Sequence, residues 1–262
     1  MRRKVCWHGR RSSMRGDADE ASQLTQGHPM NDVKISIVMP VLDEASTIVA
    51  SLEALQGARN RGVEVIVVDG GSKDATIDLA RPLVDQILTA PRGRASQMNA
   101  GAAAAHGNVL WFVHADTRVT LEHEQKILWA TAHAWGGRWG RFDVRIDSPS
   151  RMLALVSKAI NVRSRWSGIA TGDQAIFVSR ILFERVGGFP ELPLMEDIAF
   201  SKRLKCIASP ACFPQTVLTS ARRWEKHGLW RTIFLMWSLR AAFFVGVSPH
   251  FLARQYGYLP RD

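Results

Sequence analysis

Val109-Leu110-Trp111-Phe112-Val113-His114-Ala115-Asp116-Thr117 is an apolar run that ends on a carboxylate. Gly107-Asn108 precede it and Arg118 follows, so the run has the length and the edges of a parallel strand buried on both faces. Ligands of open α/β sheets collect outside the carboxyl ends of such strands, which puts Asp116 where a substrate would sit. A hard divalent cation takes carboxylate oxygens and keeps positions for a substrate's phosphates. An aspartate that caps the following helix would look the same in sequence. The run alone leaves both readings open.

Working outward toward the amino terminus, two strand-loop-helix units precede this one. Residues 33–38 lead into Pro40-Val41-Leu42-Asp43-Glu44, and residues 46–55 then carry Ile48, Val49, Leu52 and Leu55 at helical spacing up to Gly57. In the second unit the β-branched run 63–68 meets Asp69-Gly70-Gly71-Ser72-Lys73-Asp74, followed by a helix from 75 to about 84. Its glycines let backbone approach a ligand, and Asp69 again sits at a strand's carboxyl end. Residues 86–88 read as a short third strand, and the alanine-rich 95–105 as a helix. Alternation of this kind indicates an α/β fold with a mostly parallel sheet.

Toward the carboxyl terminus the spacing predicts helices over 121–135 and 151–162, with an edge or antiparallel strand over 138–146 between them. A turn at Thr171-Gly172-Asp173-Gln174 enters a strand, a short helix over 181–186 closes at Gly187-Gly188, and Glu196-Asp197 open a helix through Leu204. Acidic residues at a helix start and Lys202, Arg203 and Lys205 at its end also suit the helix dipole, so capping competes with chemistry at Asp197.

The net charge of +10 is unevenly distributed. Residues 1–30 carry six Lys/Arg against three Asp/Glu, residues 31–201 carry 18 against 19, and residues 202–262 carry ten against two. A neutral middle is a poor nucleic-acid surface, whereas a basic end suits an anionic one. Segment 229–247 is rich in Trp and Phe but interrupted by Arg231 and Arg240, too polar for a spanning helix of about 20 apolar residues. Two readings of it stand: a helix at a membrane surface, with contact through 222–247, and a helix packed on the domain. Three scattered cysteines and no signal-like stretch point to a cytoplasmic protein, lying at the inner membrane face if that contact is made. Residues 1–30 read as a disordered extension, with Met30 as a natural start, followed by a domain over 31–225 and a helical segment over 226–262.

Four carboxylates, Glu44, Asp69, Asp116 and Asp197, thus fall at strand ends or junctions of one sheet. In order, Ser36-Ile37-Val38-Met39-Pro40 with Asp43-Glu44, Val67-Val68-Asp69-Gly70-Gly71-Ser72, Phe112-Val113-His114-Ala115-Asp116, and Gly187-Gly188-Phe189 with Glu196-Asp197 resemble a family 2 glycosyltransferase of the GT-A fold over about 33–225. Gly93-Arg94-Ala95-Ser96-Gln97, Thr171-Gly172-Asp173-Gln174 and Ser220-Ala221-Arg222-Arg223-Trp224 are similar to a bacterial subgroup named for arsenosugar biosynthesis.

The resemblance implies that Pro40, Asp43, Glu44, Asp69, Gly70 and Arg94 bind a UDP- or GDP-linked sugar donor. It implies that Asp116 holds Mg²⁺ or Mn²⁺ with the diphosphate, and that Asp197, beside Glu196, is the general base. Gly172, Asp173, Gln174, Arg222, Arg223 and Trp224 are then substrate-facing, and the acceptor is a small molecule or lipid-linked. His114 replaces the first aspartate of the family's Asp-x-Asp motif; imidazole suits Mn²⁺ better than Mg²⁺, and a supporting role without metal is the other reading. The implied activity is inverting transfer of a hexose to an acceptor hydroxyl. A catalytically impaired nucleotide-sugar-binding or scaffold protein and a sugar-phosphate nucleotidyltransferase are the alternatives.

Overall fold

The computed structural model describes residues 33–132 and 138–257. The expected extension over 1–30 and the end of the helix predicted to Trp135 lie outside these residues.

Apolar runs that satisfy their backbone only by pairing with one another form the centre of the fold. Strands β1 (Ile35–Val41), β2 (Glu64–Asp69), β3 (Gln86–Thr89) and β4 (Val109–Phe112) lie parallel, with Val38 opposite both Ile66 and Phe112. Beyond β4 the sheet becomes mixed, through β5 (Thr117–Arg118), β6 (Trp139–Asp147), β7 (Phe177–Ser179) and β8 (Ala211–Ser220). The order across the sheet is β3-β2-β1-β4-β7-β6-β8-β5. Chain order reverses at β1, whose successors diverge to opposite sides, and the crevice of an α/β sheet opens at such a point.

Helices α1 (Ile48–Arg59), α2 (Thr76–Ala80), α3 (Arg94–Ala104) and α4 (Leu121–Ala132) connect the first half. α5 (Arg151–Ser167), α6 (Arg180–Val186), α7 (Glu196–Lys205), α8 (Arg222–His227), α9 (Leu229–Phe244) and α10 (Pro249–Gln255) follow. Two apolar layers sandwich the sheet. Ile37, Met39, Val65, Trp111 and Phe177 face one, and Val38, Ile66, Leu110, Phe112 and Val178 face the other, the alternation a pleated strand imposes.

Several expectations need correction. Gly57 lies inside α1, which continues to Arg59, because the turn at Asn60 through Gly62 supplies the stop. The second helix is only Thr76–Ala80, and Pro82 turns Arg81–Leu83 into a 3-10 segment. β6 runs antiparallel to β7 as expected, but it is an interior strand, because β8 pairs with it in parallel. The fifth helix runs to Ser167, five residues past the predicted end, and closes on left-handed Gly168. Pro214 has no N–H to donate, and the β6–β8 register slips there, from Phe142 opposite Phe213 to Asp143 opposite Thr216.

α3 lies close on the sheet because Gly101 faces it. A Cβ at that position would press into Val38 and sit 2.9 Å from Val68 Cγ2. Gly101→Ala is therefore expected to cost about 1–3 kcal/mol by overpacking, despite alanine's better helix propensity. Urea unfolding of the variant checks this, and a gain in stability would contradict the packing.

Candidate active site

Residues after β1 and β2 are laced together by side-chain to backbone bonds. Ser72 donates N–H and Oγ–H to Asp69, at 3.0 and 2.6 Å, while Ser72 Oγ accepts the Asp43 N–H at 3.0 Å. Asp43 Oδ1 in turn accepts the Lys73 N–H at 2.7 Å, with Asp43 itself in the left-handed region at φ 53°. Thr76 Oγ1 accepts the Glu44 N–H and Asp74 Oδ2 the Ala45 N–H. The buried Gln97 amide donates to Val41 O and Val68 O, both at 2.8 Å, and so ties the ends of β1 and β2 from α3. Pro40, Asp69 and Gly70 are buried in this frame, whereas Asp43 is exposed and Glu44 half-buried.

Past β4, His114 O accepts the Thr117 N–H, and the turn lifts Asp116 out of the strand. The Asp116 carboxylate is half-buried and takes a 3.5 Å contact from Thr117 Oγ1, which leaves its oxygens with coordinating capacity. Among the described residues no group of three or more His, Cys, Asp or Glu side chains is placed to hold a cation alone. A nucleotide's phosphates and water would have to supply most ligands to a cation at Asp116, the arrangement Mg²⁺-type sites favour.

Asp197 comes to the same edge from the far half of the chain. Met195, at φ 66°, turns the backbone into α7. There Asp197 Oδ1 accepts its neighbour Ile198 N–H at 2.7 Å, and Oδ2 accepts the Gly172 N–H at 2.8 Å. Gly172 is also where His114 rests. A Cβ on Gly172 would stand 2.6 Å from His114 Cε1, so a side chain there would push the imidazole away from the loop that bonds Asp197. His114 is thereby packed on the loop that bonds Asp197, and it stands two residues from Asp116.

The remaining expected residues divide. Arg94 Nε pairs with Glu196 Oε1 at 2.8 Å, and Glu196 is 2% exposed. Arg222 Nη2 donates to Glu44 Oε2 at 2.6 Å and Nη1 to Ser46 Oγ at 3.3 Å, which closes the first loop against α8. A cavity of about 220 Å³ opens there, with Asp116, Asp147, Ser220 and Arg222 in its wall. Gln174 is fully buried, its amide carbonyl accepting from Thr171 and its Nε2 donating to Phe142 O, so it supports the loop from below. Trp224 packs with Ile146, Leu153 and Ala221. The Arg223 side chain lies outside the described residues. A larger cavity of about 330 Å³, beside Glu64 and His106, lies at the amino-terminal ends of the parallel strands, away from these carboxylates.

Ser72 and Gln97, which sit within the motifs, and Thr76 just beyond one, carry no sequence signal of these roles. Arg163 of α5 was also missed; its buried guanidinium lies within electrostatic reach of Asp173 and Asp197. No sequence signal separates it from its solvated neighbour Arg165.

This is an α/β protein whose carboxylates gather outside the switch point of the sheet, where such folds bind nucleotides. Residues 36–151 match the family described as Glycosyl transferase family 2. The chain is 28% identical over 196 residues to a PGL/p-HBAD biosynthesis glycosyltransferase of Mycobacterium bovis, covering 67% of this chain and 70% of that protein. It is 24% identical over 233 residues to the probable glycosyltransferase YdaM of Bacillus subtilis, covering 75% and 52%. Over these residues the chain is similar to family 2 glycosyltransferases.

Among solved structures, S. aureus TarS 1-349 in complex with UDP superposes with TM-score 0.55 at 18% identity, over 71% of this chain and 60% of that one. The mannosyltransferase PcManGT from Pyrobaculum calidifontis, in complex with GDP-Man and Mn²⁺, gives TM-score 0.55 at 19% identity, over 79% and 60%. This likeness is one of fold. The chain spans about 60% of the length of these two structures.

Burial pushes the Glu196 carboxyl above its ordinary value of 4.5; Arg94 opposes the rise and Asp197 adds to it. Unfolded, Glu196 loses its proton near that ordinary value, and folded it does so at higher pH. Between the two the native state binds more protons, so this residue lowers stability as pH rises through the window. Glu196→Gln is expected to flatten that decline in urea midpoints measured from pH 4.5 to neutrality. An unchanged slope would show that Glu196 does not carry it.

Proposed function

We propose that this chain transfers a hexose from a nucleoside-diphosphate sugar to an acceptor hydroxyl with inversion at the anomeric carbon. The observation that carries the reading is the bond from Gly172 N–H to Asp197 Oδ2, which sets a carboxylate beside the His114–Asp116 turn. Support comes also from the family match and from the nucleotide-bound proteins of like fold.

In this reading the loop Pro40–Glu44 and Asp69-Gly70 take the nucleoside, with Asp69 held rigid by Ser72 and able to accept from a base N–H. Asp116 holds Mn²⁺ or Mg²⁺ together with the donor's phosphates, with His114 as the adjacent nitrogen. The chemistry that ion supplies when bound is neutralisation of charge on the leaving diphosphate. Arg222, beside Glu44 and within electrostatic reach of Asp116, adds positive charge on the same side. Asp197 accepts the acceptor's hydroxyl proton as the oxygen attacks. Each of its oxygens already accepts one N–H and keeps a further lone pair, so the two backbone bonds aim the carboxylate and leave it able to act. Direct displacement by the hydroxyl, with no carboxylate nucleophile, inverts the anomeric centre. None of these relatives is named for arsenosugar biosynthesis.

Asp197→Asn should lower transfer about 10²- to 10⁴-fold, the usual contribution of a general base, with nucleotide affinity nearly unchanged. A fully active variant would remove Asp197 from the role. Donor binding that lacks any transfer or donor hydrolysis with Mn²⁺ in the parent protein would favour a nucleotide-sugar-binding scaffold.

The carboxyl-terminal helices add a surface to this reading. On α9, Thr232, Leu235, Leu239 and Ala242 pack inward, the last three in a cluster with Leu194, Met195 and Ile198. Trp230, Phe234, Trp237 and Phe244, spaced four, seven and fourteen residues from the first, form the opposite face, with Phe234 70% and Trp237 73% exposed. A helix apolar on both sides needs a second apolar partner. Among the described residues no helix is long and apolar enough to cross a membrane. An anionic bilayer surface fits, because residues 202–262 carry ten Lys/Arg against two Asp/Glu, and Lys202 lies beside the Phe244 ring. Phe234→Glu with Trp237→Glu should abolish co-sedimentation with phosphatidylglycerol vesicles. Undiminished sedimentation would exclude this face, and concentration-dependent dimers without vesicle binding would make a second copy its partner.

A further inference from the structure

Three arginines meet where α5 packs on β6, and two of them have carboxylate partners. Arg141 pairs with Asp143, and Arg165 Nη2 donates to Asp143 Oδ2 at 2.7 Å. Arg163 makes no ion pair among the described residues, and its Nε and Nη2 are buried without a hydrogen-bond partner. Within electrostatic reach of it, Oδ1 of Asp173 is likewise buried without a hydrogen-bond partner, while the carboxyl as a whole is bonded by the Thr171 side chain. The two groups interact electrostatically, yet they do not bond to each other. Buried donors and acceptors left without partners are costly, and a native structure that keeps them in place does so for a reason.

That reason is not the frame of the loop. The Gly172–Gln174 turn is already closed by Thr171 and Gln174, and Asp197 is already held by Gly172 and Ile198. Nor is it the donor loop, whose cross-links run through Ser72, Asp74, Thr76 and Arg222. The Arg163 guanidinium and the Asp173 carboxyl instead both lie within electrostatic reach of Asp197.

We propose that Arg163 and Asp173 form an acceptor subsite for a small molecule bearing an oxyanion, phosphate or carboxylate, next to the hydroxyl that receives the sugar. This rests on the transfer reading above. Arg163 offers Nε and Nη2 as a planar fork, the geometry that phosphate and carboxylate accept in bidentate fashion. Asp173 is placed to bond a neighbouring hydroxyl. The acceptor would thus be fixed at two points, with the attacking oxygen directed at Asp197.

The test titrates the full chain with inorganic phosphate and, separately, with acetate, following the side-chain Nε–H signal of Arg163 by nuclear magnetic resonance. Phosphate or acetate should move that signal in the wild type, and the stronger of the two identifies the oxyanion class. Arg163→Gln should weaken anion binding at least tenfold and Arg163→Lys should retain part of it. Both should leave nucleoside-diphosphate affinity unchanged. An unmoved Arg163 signal in the wild type overturns the proposal even if neither variant folds, as does equal anion affinity in wild type and Arg163→Gln. Loss of nucleotide affinity in the variants would assign Arg163 to the donor side and also overturn it. If the wild type binds anion at Arg163 but no nucleoside diphosphate, the transfer reading fails while the anion site stands.

Discussion

Everything chemical in this protein depends on β4 being buried between two neighbours. β1 pairs with it in parallel on one side and β7 antiparallel on the other, so its backbone is satisfied on both edges and its four side chains are buried. Such a strand has no freedom to slide, because a one-residue slip would exchange its two apolar faces. The turn that follows is therefore fixed relative to the end of β1. Asp116 and the Asp43–Glu44 loop face one crevice for that reason, and Arg222 reaches both.

The second half of the chain brings Asp197 to this crevice. Its route is a set of backbone constraints: left-handed Ala175 and Met195, the closed turn at Gly172–Gln174, and Gly172 itself, where a side chain would displace His114. The amide of Gly172 then does for Asp197 what Ser72 does for Asp69, holding a carboxylate still by donating to it. Preorganised carboxylates of this kind need no rearrangement when a substrate arrives.

Much of the first half was legible in the sequence because parallel strands buried on both faces read as uninterrupted apolar runs, and those of β1, β2 and β4 are clear. Strands that alternate or carry proline are harder. β8 was not foreseen because it is only half-buried and contains Pro214, and without it β6 looked like an edge. The motif residues Asp43, Glu44, Asp69, Asp116 and Asp197 were each legible as carboxylates at element ends. Their mutual geometry was not, since it depends on contacts such as Arg222 with Glu44 that span 178 residues. Arg163 was invisible for a related reason. What distinguishes it from Arg165 is burial without a partner, a property of packing and not of residue type.

The proposed transfer depends most on Asp116 binding a divalent cation together with the phosphates of a nucleotide donor. Thermal unfolding of the whole chain with UDP and GDP, each with and without Mn²⁺, tests it most directly, because a ligand bound only by the folded state raises the melting temperature. The account predicts a shift with at least one nucleotide that grows when Mn²⁺ is present and loses that growth in Asp116→Ala. Shifts that ignore Mn²⁺, or that survive unchanged in Asp116→Ala, would contradict it.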